Sequence, residues 1–140
     1  MSERKARILY YRLPGDWTVL VGATDADNDY LSTSLAEPDD YWFHADRVPG
    51  SHVILRARPD AEPSRETLRQ AAALALYHSK ARNAGVAPVH CTRARYVKKP
   101  RAVKTGTVHV SKGSVLKVRP DVSFAVRSVA EPTRPDPSER

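Results

Sequence analysis

The sequence predicts an α+β fold, in which one long helix packs on a mostly antiparallel β-sheet. Several short segments, among them residues 6–12 and 17–21, are rich in strand-forming residues and are separated by turn signals. One longer segment, at about residues 64–82, has the apolar spacing of a helix. The resulting order, two strands, a loop, two strands, a helix and then three strands, is typical of this fold class.

The first two strands are predicted to form a hairpin, because "LPGD" at residues 13–16 is a turn signal. The polar and acidic residues 22–40 follow, and we expect a loop there that contains at most one helical turn. Residues 41–44 and 52–57 are strand candidates on either side of "ADRVPGS", residues 45–51.

Capping signals bound the predicted helix. Ser64 suits the N-cap position, and Glu66 in the first turn suits the positive end of the helix dipole. Lys80 and Arg82 suit the negative end, and Gly85 follows at a position typical of a helix stop. The helix is therefore predicted to run from about Ser64 to Arg82.

The segment after the helix is predicted to contain three more strands. Residues 89–97, "VHCTRARYV", form the first, and a basic loop follows at residues 98–106. Residues 107–110 and 114–120 are separated only by "SKG", which predicts that they pair as a short hairpin.

A chain of 140 residues fits one domain with a core of its own. We expect this domain to span residues 1–126. Residues 127–140 contain Pro132, Pro135 and Pro137 and few apolar side chains, which predicts a disordered tail.

The sequence carries no sign of export or membrane insertion. Its longest apolar run, residues 71–77, is far shorter than the roughly 20 residues that cross a bilayer. The start of the chain lacks the pattern of a secretory signal, and the single cysteine, Cys91, cannot form an internal disulfide. These features predict a cytoplasmic protein.

The charges are distributed unevenly along the chain. The net charge is +7, and residues 67–120 contain 12 Lys and Arg but no Asp or Glu. Solubility alone would be served by mixed charges. An acid-free segment of this length is typical of a surface that binds a polyanion, and charge alone favours RNA and DNA equally.

Residues 40–56, "DYWFHADRVPGSHVILR", concentrate aromatic and histidine side chains around a turn. Side chains alternate between the faces of a strand, and we expect His44 to lie opposite His52. Pro49 and Gly50 predict a turn with positive φ at Gly50. The alternation places Trp42, His44, His52 and Arg56 on one face, suited to stacking and phosphate contacts, and Phe43, Val53 and Leu55 on the core face.

A metal-dependent hydrolase or nuclease is the alternative hypothesis for this segment. His44 and His52 would be ligands, with His90 or Cys91 completing the set. However, the spacing matches no zinc pattern.

Two further interpretations stay open. Asp40, His44 and Ser51 could form a hydrolytic triad, although nothing places the serine on a strand-to-helix elbow. Alternatively, the two histidines bond only to backbone groups near the turn and Trp42 belongs to the core, which does not exclude a binding role.

The chain resembles the NFACT-R domain, the RNA-binding domain of the NFACT proteins of ribosome-associated quality control. The resemblance covers about residues 8–120. The matching motifs, in the order of the family, are "NDYLS" (28–32), "DYWFHADRVPGSHVILR" (40–56), "AAALALYHSKARNAG" (71–85), "RYVKKP" (95–100) and "KTGTV" (104–108).

The chain departs from the family in two ways. The basic loop of the family usually reads like "KKP-x-GAKPG", whereas here Ala102, Val103 and Thr105 replace its first glycine, its alanine and its second proline. The chain also corresponds to this one domain, and full-length family members carry further domains that engage the large ribosomal subunit and recruit tRNA.

The resemblance and the charge pattern together predict an RNA-binding protein that is not an enzyme. Its RNA would be tRNA or rRNA, and the large ribosomal subunit is a further expected partner. No catalytic residue, metal ion, cofactor or membrane contact is expected. The candidate RNA-binding residues are Trp42, His44, His52, Arg56, Lys80, Arg82, Arg93, Arg95, Lys98, Lys99, Arg101 and Lys104. A protein-interaction module that uses the surface of a ribosomal partner stays an alternative.

Overall fold

A computed structural model describes residues 7–131 of the chain. Within this range one large sheet is accompanied by a small two-stranded sheet and two helices. The strands of the large sheet are β1 (Ile8–Leu13), β2 (Trp17–Gly22), β3 (Tyr41–Ala45), β4 (Val53–Leu55), β5 (Ala87–Arg93), β8 (Ser114–Val118) and β9 (Val126–Ser128). The small sheet consists of β6 (Val97–Lys98) and β7 (His109–Val110), and the helices are α1 (Asp25–Tyr30) and α2 (Arg65–Tyr77).

The large sheet has the strand order β8-β5-β3-β4-β2-β1-β9, and its paired strands are antiparallel throughout the described residues. The predicted hairpin of β1 and β2 is confirmed, with Leu13 paired to Trp17. The α+β prediction consists mainly of an antiparallel sheet with helical structure packed on it. The observed sheet and helices agree with that part of the prediction.

The sheet is covered on both faces, which makes three layers. On one face, α2 packs against Phe43, Val53 and Leu55, all fully buried, as the alternation in the sequence predicts. On the other face, the segment after α1 and the small sheet enclose a second cluster that includes Leu31 and Trp42. The second cluster therefore brings the basic loop, which joins β6 to β7, onto the sheet.

The prediction of one long helix is wrong. Helix α2 has only 13 residues and ends at Tyr77, although its predicted cap is confirmed, since the Ser64 hydroxyl accepts a hydrogen bond from the Thr67 N–H. After Tyr77 the backbone pairs with the β3–β4 turn, because the Ser51 N–H donates to the His78 carbonyl. This pairing diverts the chain from the helix before Arg82.

A second helix lies where the sequence predicted a loop with one helical turn. Thr24 caps α1 by accepting from the Asp27 N–H, and a π-helical turn at Leu31–Leu35 extends the helical segment. The segment is acidic and short, so its stability depends on contacts with the sheet.

The register of β3 and β4 confirms the predicted pairing, with Trp42 opposite Ile54 and Phe43 opposite Val53. The turn between these strands differs from the prediction, because the residue with positive φ is Arg47 and not Gly50. Gly50 is required for another reason: a Cβ atom there would lie 2.6 Å from the Cβ of Ser79.

The predicted hairpin of residues 107–110 with 114–120 is wrong. Strand β7 pairs with β6, while β8 pairs with β5 at the edge of the large sheet. Strand β5 is also shorter than predicted, because residues 94–96 form a 3₁₀ turn that redirects the chain towards β6.

Near the end of the described chain, β9 pairs with β1, so this strand crosses the expected domain boundary at residue 126. Residues 132–140 of the predicted tail lie outside the described residues. Among the helices of residues 7–131, none has the length and apolar character that crossing a membrane requires.

Candidate nucleic-acid interface

A cleft of about 420 Å³ opens where the β3–β4 turn meets the basic loop. We call it the histidine cleft. It is lined by Trp42, His44, Ala45, Asp46, Arg47, His52, His90, Gly106, Thr107, Val108 and Val110. Two walls that are distant in sequence thus meet in one site: the hairpin of residues 40–56 and the end of the basic loop.

Aromatic rings form the inner part of the cleft. Trp42 and His44 stack with their planes 12° apart and their centroids 6.0 Å apart. His52 and His90 approach Trp42 edge-on, at centroid distances of 5.3 and 6.0 Å. Trp42 and His52 are buried, whereas His44 and His90 are half-buried. The accessible ring surface is therefore supplied by His44 and His90, with Trp42 as the support behind His44.

A chain of hydrogen bonds connects the core to the basic loop through His52. The indole N–H of Trp42 donates to the Ser32 hydroxyl (3.0 Å), which lies 2.7 Å from Nδ1 of His52. Nε2 of His52 lies 3.2 Å from the carbonyl oxygen of Gly106. Because that carbonyl only accepts, Nε2 carries the proton, and in the neutral ring Nδ1 accepts from Ser32. His52 therefore fixes the basic loop to the sheet.

Two histidines of the cleft, His44 and His52, are held in their neutral form. Burial lowers the pKa of His52 to about 4, and the neighbouring His44 acts in the same direction. Burial also lowers the pKa of His44, whose Nε2 lies 3.2 Å from the Gly50 carbonyl and donates to it. At neutral pH these two rings are consequently uncharged, and lysine and arginine side chains supply positive charge near the cleft.

Lys99 stabilises the basic loop from inside. Its ammonium donates to the carbonyl oxygens of Lys104 (2.6 Å) and Thr107 (2.7 Å) and pairs with the Asp29 carboxylate of α1 at 3.2 Å. Because these three partners bind the ammonium group, Lys99 stabilises the conformation of the loop. Arg101 and Lys104 are exposed on the same loop, and Lys98 is exposed at the end of β6, where the loop begins.

Two backbone positions set the path of this loop. Gly106 has a φ of +88°, and a Cβ atom there would lie 2.9 Å from the Asp25 carboxylate. Ala102 has a φ of +61°, in the left-handed region that favours glycine. The loop thus keeps a glycine-like conformation at a position where this sequence has replaced the glycine of the family pattern.

Lys80 and Arg82 lie beside a second cleft of about 430 Å³, which also includes Gly50 and Ser51. Arg82 stacks on the Tyr77 ring, with its guanidinium carbon 3.9 Å from the ring centroid. The Gly50 carbonyl bonds to His44 of the histidine cleft, so the two clefts meet at the β3–β4 turn. Lys80 and Arg82 therefore lie near the histidine cleft.

Three other candidate residues lie at the opposite end of β3. Arg93 stacks on Tyr41 and donates to its hydroxyl (2.7 Å), and Arg95 pairs with Asp39. Arg56 is buried between Asp40 and Glu131, at 2.8 and 2.6 Å. The structure does not bring these three arginines together with the histidine cleft.

Two residues that line the cleft are absent from the candidates that the sequence predicts to bind RNA. Arg47 is exposed at its rim beside Asp46, and its place within the turn of the 40–56 motif was the available signal. From the sequence, His90 is a candidate only in the metal-site hypothesis. It reaches the cleft because β5 pairs with β3 and sets it opposite His44, and this pairing could not be read from a single sequence.

The geometry of the hydrolytic alternatives is unfavourable. Asp40 bonds to Arg56, and the Ser51 hydroxyl donates to the Gly22 carbonyl, so neither bonds to His44. In the described part of the chain, no group of three His, Cys, Asp or Glu side chains could hold a metal ion. Cys91 lies on the opposite, α2-facing side of the sheet, and burial raises its pKa to about 11.

A cationic loop fixed beside a cleft of aromatic rings, on an antiparallel sheet, defines the class of this domain as a candidate nucleic-acid-binding module. Comparison with known proteins makes the class specific. The family described as "NFACT protein RNA binding domain" matches residues 7–112, and the chain belongs to this family.

Relatives and a solved structure agree with this assignment. The chain is 38% identical over 117 residues to "Rqc2 homolog RqcH" of Bacillus subtilis (strain 168), and 37% identical over 120 residues to the protein of that name in Streptococcus suis (strain 05ZYH33). These matches cover 84% and 86% of this chain but only 20% and 21% of the relatives, so the chain spans about one fifth of their length.

The fold is similar to that of the C-terminal part of the fibronectin/fibrinogen-binding protein from Streptococcus suis (FBPS), whose structure is solved. The TM-score is 0.79 at 32% sequence identity, over 87% of this chain and 49% of that one.

Proposed function

We propose that this domain binds RNA, with tRNA or rRNA as the target, and that it serves ribosome-associated quality control without catalysing a reaction. The observation that carries the proposal is the docking of the basic loop beside the histidine cleft, by Lys99 from inside the loop and by His52 from the sheet. This docking presents the exposed charges of Lys98, Arg101 and Lys104 next to ring surfaces. Phosphate contacts would supply affinity, and the cleft would supply selectivity.

The comparisons support both the ligand and the process. The family description names RNA binding, and the relatives are named as homologues of Rqc2. Because the matched region is about one fifth of those relatives, the activity of the whole relatives is not transferred here. We propose the large ribosomal subunit as the site at which this domain meets its RNA.

The non-enzymatic part of the proposal is supported by the bonding of the imidazoles. Both ring nitrogens of His52 are engaged, by Ser32 and Gly106. Because it has no free ring nitrogen, His52 is poorly placed to ligate a metal or to activate a nucleophile.

A salt series tests the basic loop. Each phosphate contact contributes about 0.7–0.9 to the slope of log K against log salt concentration, so Lys98→Ala/Arg101→Ala should reduce the magnitude of the slope for tRNA by about 1.4–1.8. Fluorescence anisotropy with labelled tRNA at several salt concentrations measures this slope.

The matched control is Arg65→Ala/Arg69→Ala, which removes the same charge from exposed positions of α2, on the opposite face of the sheet. This control should leave the slope unchanged. The proposal fails if the wild-type domain binds neither tRNA nor rRNA fragments at low salt. The assignment to the basic loop fails if both double variants reduce the slope equally.

A further inference from the structure

We propose that the histidine cleft binds one unpaired nucleobase, which stacks on His44, so that the domain selects single-stranded or bulged RNA over a continuous duplex. The inference rests on the proposed RNA-binding function and adds the structural class of the RNA that is bound.

The volume and the lining of the cleft fit a base. Its volume of about 420 Å³ falls within the roughly 300–1,000 Å³ that is typical of small-ligand sites, and it opens at the protein surface. Val108 and Val110 supply an apolar side, while Thr107 and the Asp46 carboxylate lie at the boundary as hydrogen-bonding groups. A flat, polar-edged aromatic ligand matches this combination.

His44 is the ring on which such a ligand would stack. Trp42 already stacks on it at an angle of 12° and is fixed in turn by its bond to Ser32, so the pair forms a rigid platform. The bond from His44 to the Gly50 carbonyl fixes the orientation of the ring. A preorganised ring loses little side-chain entropy on binding, which makes it a favourable stacking partner.

Charge at the rim favours a nucleotide over a neutral aromatic ligand. Thr107, which lines the cleft, and Lys104 close one turn, in which the Thr107 N–H donates to the Lys104 carbonyl. Arg47 is exposed on the other side of the cleft. Arg47 at the rim and Lys104, next to the cleft along the basic loop, thus put cationic residues near the aromatic interior, as a base with flanking phosphates requires.

A paired base cannot reach this interior. In an A-form helix the bases are stacked inside, and side chains cannot read the deep and narrow major groove. Only a base that has left the stack can enter a cleft formed between a turn and a docked loop. The site is consequently expected to discriminate by the pairing state of the RNA rather than by its charge.

Two probes test the inference: a 12-nucleotide single strand that carries 2-aminopurine, and a fully paired 12-base-pair RNA duplex. His44→Ala should weaken binding of the single strand about 10- to 100-fold and binding of the duplex less than about twofold, since one stacked base is lost only in the first. Quenching of 2-aminopurine on binding, present in the wild type and lost in His44→Ala, reports the stacking directly.

Two variants make the test independent of folding. His44→Phe keeps a ring at the site and should retain single-strand affinity within about threefold of the wild type. His109→Ala removes an exposed histidine outside the cleft and should change neither affinity. Thermal melting of each variant verifies that the domain is folded.

The possible outcomes separate this inference from the proposed function. If His44→Ala weakens single strand and duplex equally, or if His44→Phe loses as much affinity as His44→Ala, base stacking in the cleft is overturned while RNA binding stands. If the wild type binds neither probe at low salt, the proposed function itself is overturned.

Discussion

At the scale of single residues, the buried ion pair of Arg56 and Asp40 shows that a cation predicted to bind RNA can instead stabilise the fold. Asp40 has no exposed side-chain surface, and its carboxylate also accepts hydrogen bonds from the backbone N–H groups of Glu37 and Ala57. Arg56 additionally bonds to Glu131. These bonds tie the ends of β3 and β4 to the last described residue of the chain.

We expect Arg56→Ala to lower the free energy of unfolding by about 3 kcal/mol, because it leaves the Asp40 carboxylate buried without its counter-charge. Urea denaturation monitored by tryptophan fluorescence measures the change. The control is Arg12→Ala, which breaks an exposed pair with Asp16 and should cost less than about 0.5 kcal/mol. A loss below about 1 kcal/mol for Arg56→Ala would contradict the structural role.

Trp42 and His52 show what the alternation of side chains can and cannot predict. Alternation placed both correctly on the face opposite Phe43, and the structure confirms the register on which this depends. It could not reveal that Ser32 and the basic loop cover that face, because those contacts join residues 20 and 54 positions apart. Trp42 and His52 are therefore buried behind the cleft, and His44 and His90 provide its accessible ring surface.

At the scale of elements, local signals predicted the hairpins that are closed by short turns and failed where pairing is non-local. The turn at residues 13–16 and the pairing of β3 with β4 followed from sequence. Strand β8 pairs with β5, which lies more than 20 residues earlier in the chain. The connection between β7 and β8 has only three residues, and it therefore predicted that these two strands would pair with each other. Only one helical turn was predicted where α1 and the π-helical turn lie, because tertiary bonds hold this segment, such as the one from the His52 N–H to the Asn28 side chain.

The shape of the basic loop depends on Gly106. Gly106→Ala would place a Cβ atom 2.9 Å from the Asp25 carboxylate in a backbone with a φ of +88°, a conformation that costs an L-residue about 1–2 kcal/mol. We expect the loop to detach from His52. Amide hydrogen exchange of residues 98–107 should become at least about fivefold faster, and affinity for tRNA should fall.

The matched control for this variant is Ala102→Gly, at the other left-handed position of the loop. Relief of strain and the greater freedom of the unfolded chain nearly offset each other there, so the free energy of unfolding should change by less than about 0.5 kcal/mol. Docking of the loop through Gly106 would be refuted if the two variants gave the same exchange rates.

At the scale of the whole molecule, the acid-free segment of residues 67–120 does not form one continuous basic face. It contributes to α2, to β5 and β8 of the large sheet, and to the small sheet and its loop. Its exposed cations consequently point to different sides of the domain. The sequence predicted a negatively charged partner. The position of the candidate contact surface could be found only from the fold, because it depends on which cations lie close together in space.

The fold divides the predicted cations into a near group and a far group. Lys80 and Arg82 line the second cleft, which meets the histidine cleft at the β3–β4 turn. Arg93 and Arg95 lie beyond the other end of β3 and are paired with Tyr41 and Asp39. An RNA strand that follows the histidine cleft would pass the first pair and not the second.

This division predicts the footprint of the RNA. Lys80→Ala/Arg82→Ala should reduce the magnitude of the salt slope by about 1.4–1.8, in addition to the effect of Lys98→Ala/Arg101→Ala, because the two pairs contact different phosphates. Arg93→Ala/Arg95→Ala removes the same charge from the far end and should leave the slope unchanged. Anisotropy titrations of the three double variants and of the combined quadruple variant measure these effects. A reduced slope in the far-end variant, or a quadruple variant no weaker than either near-group variant, would show that the RNA follows a different path across the domain.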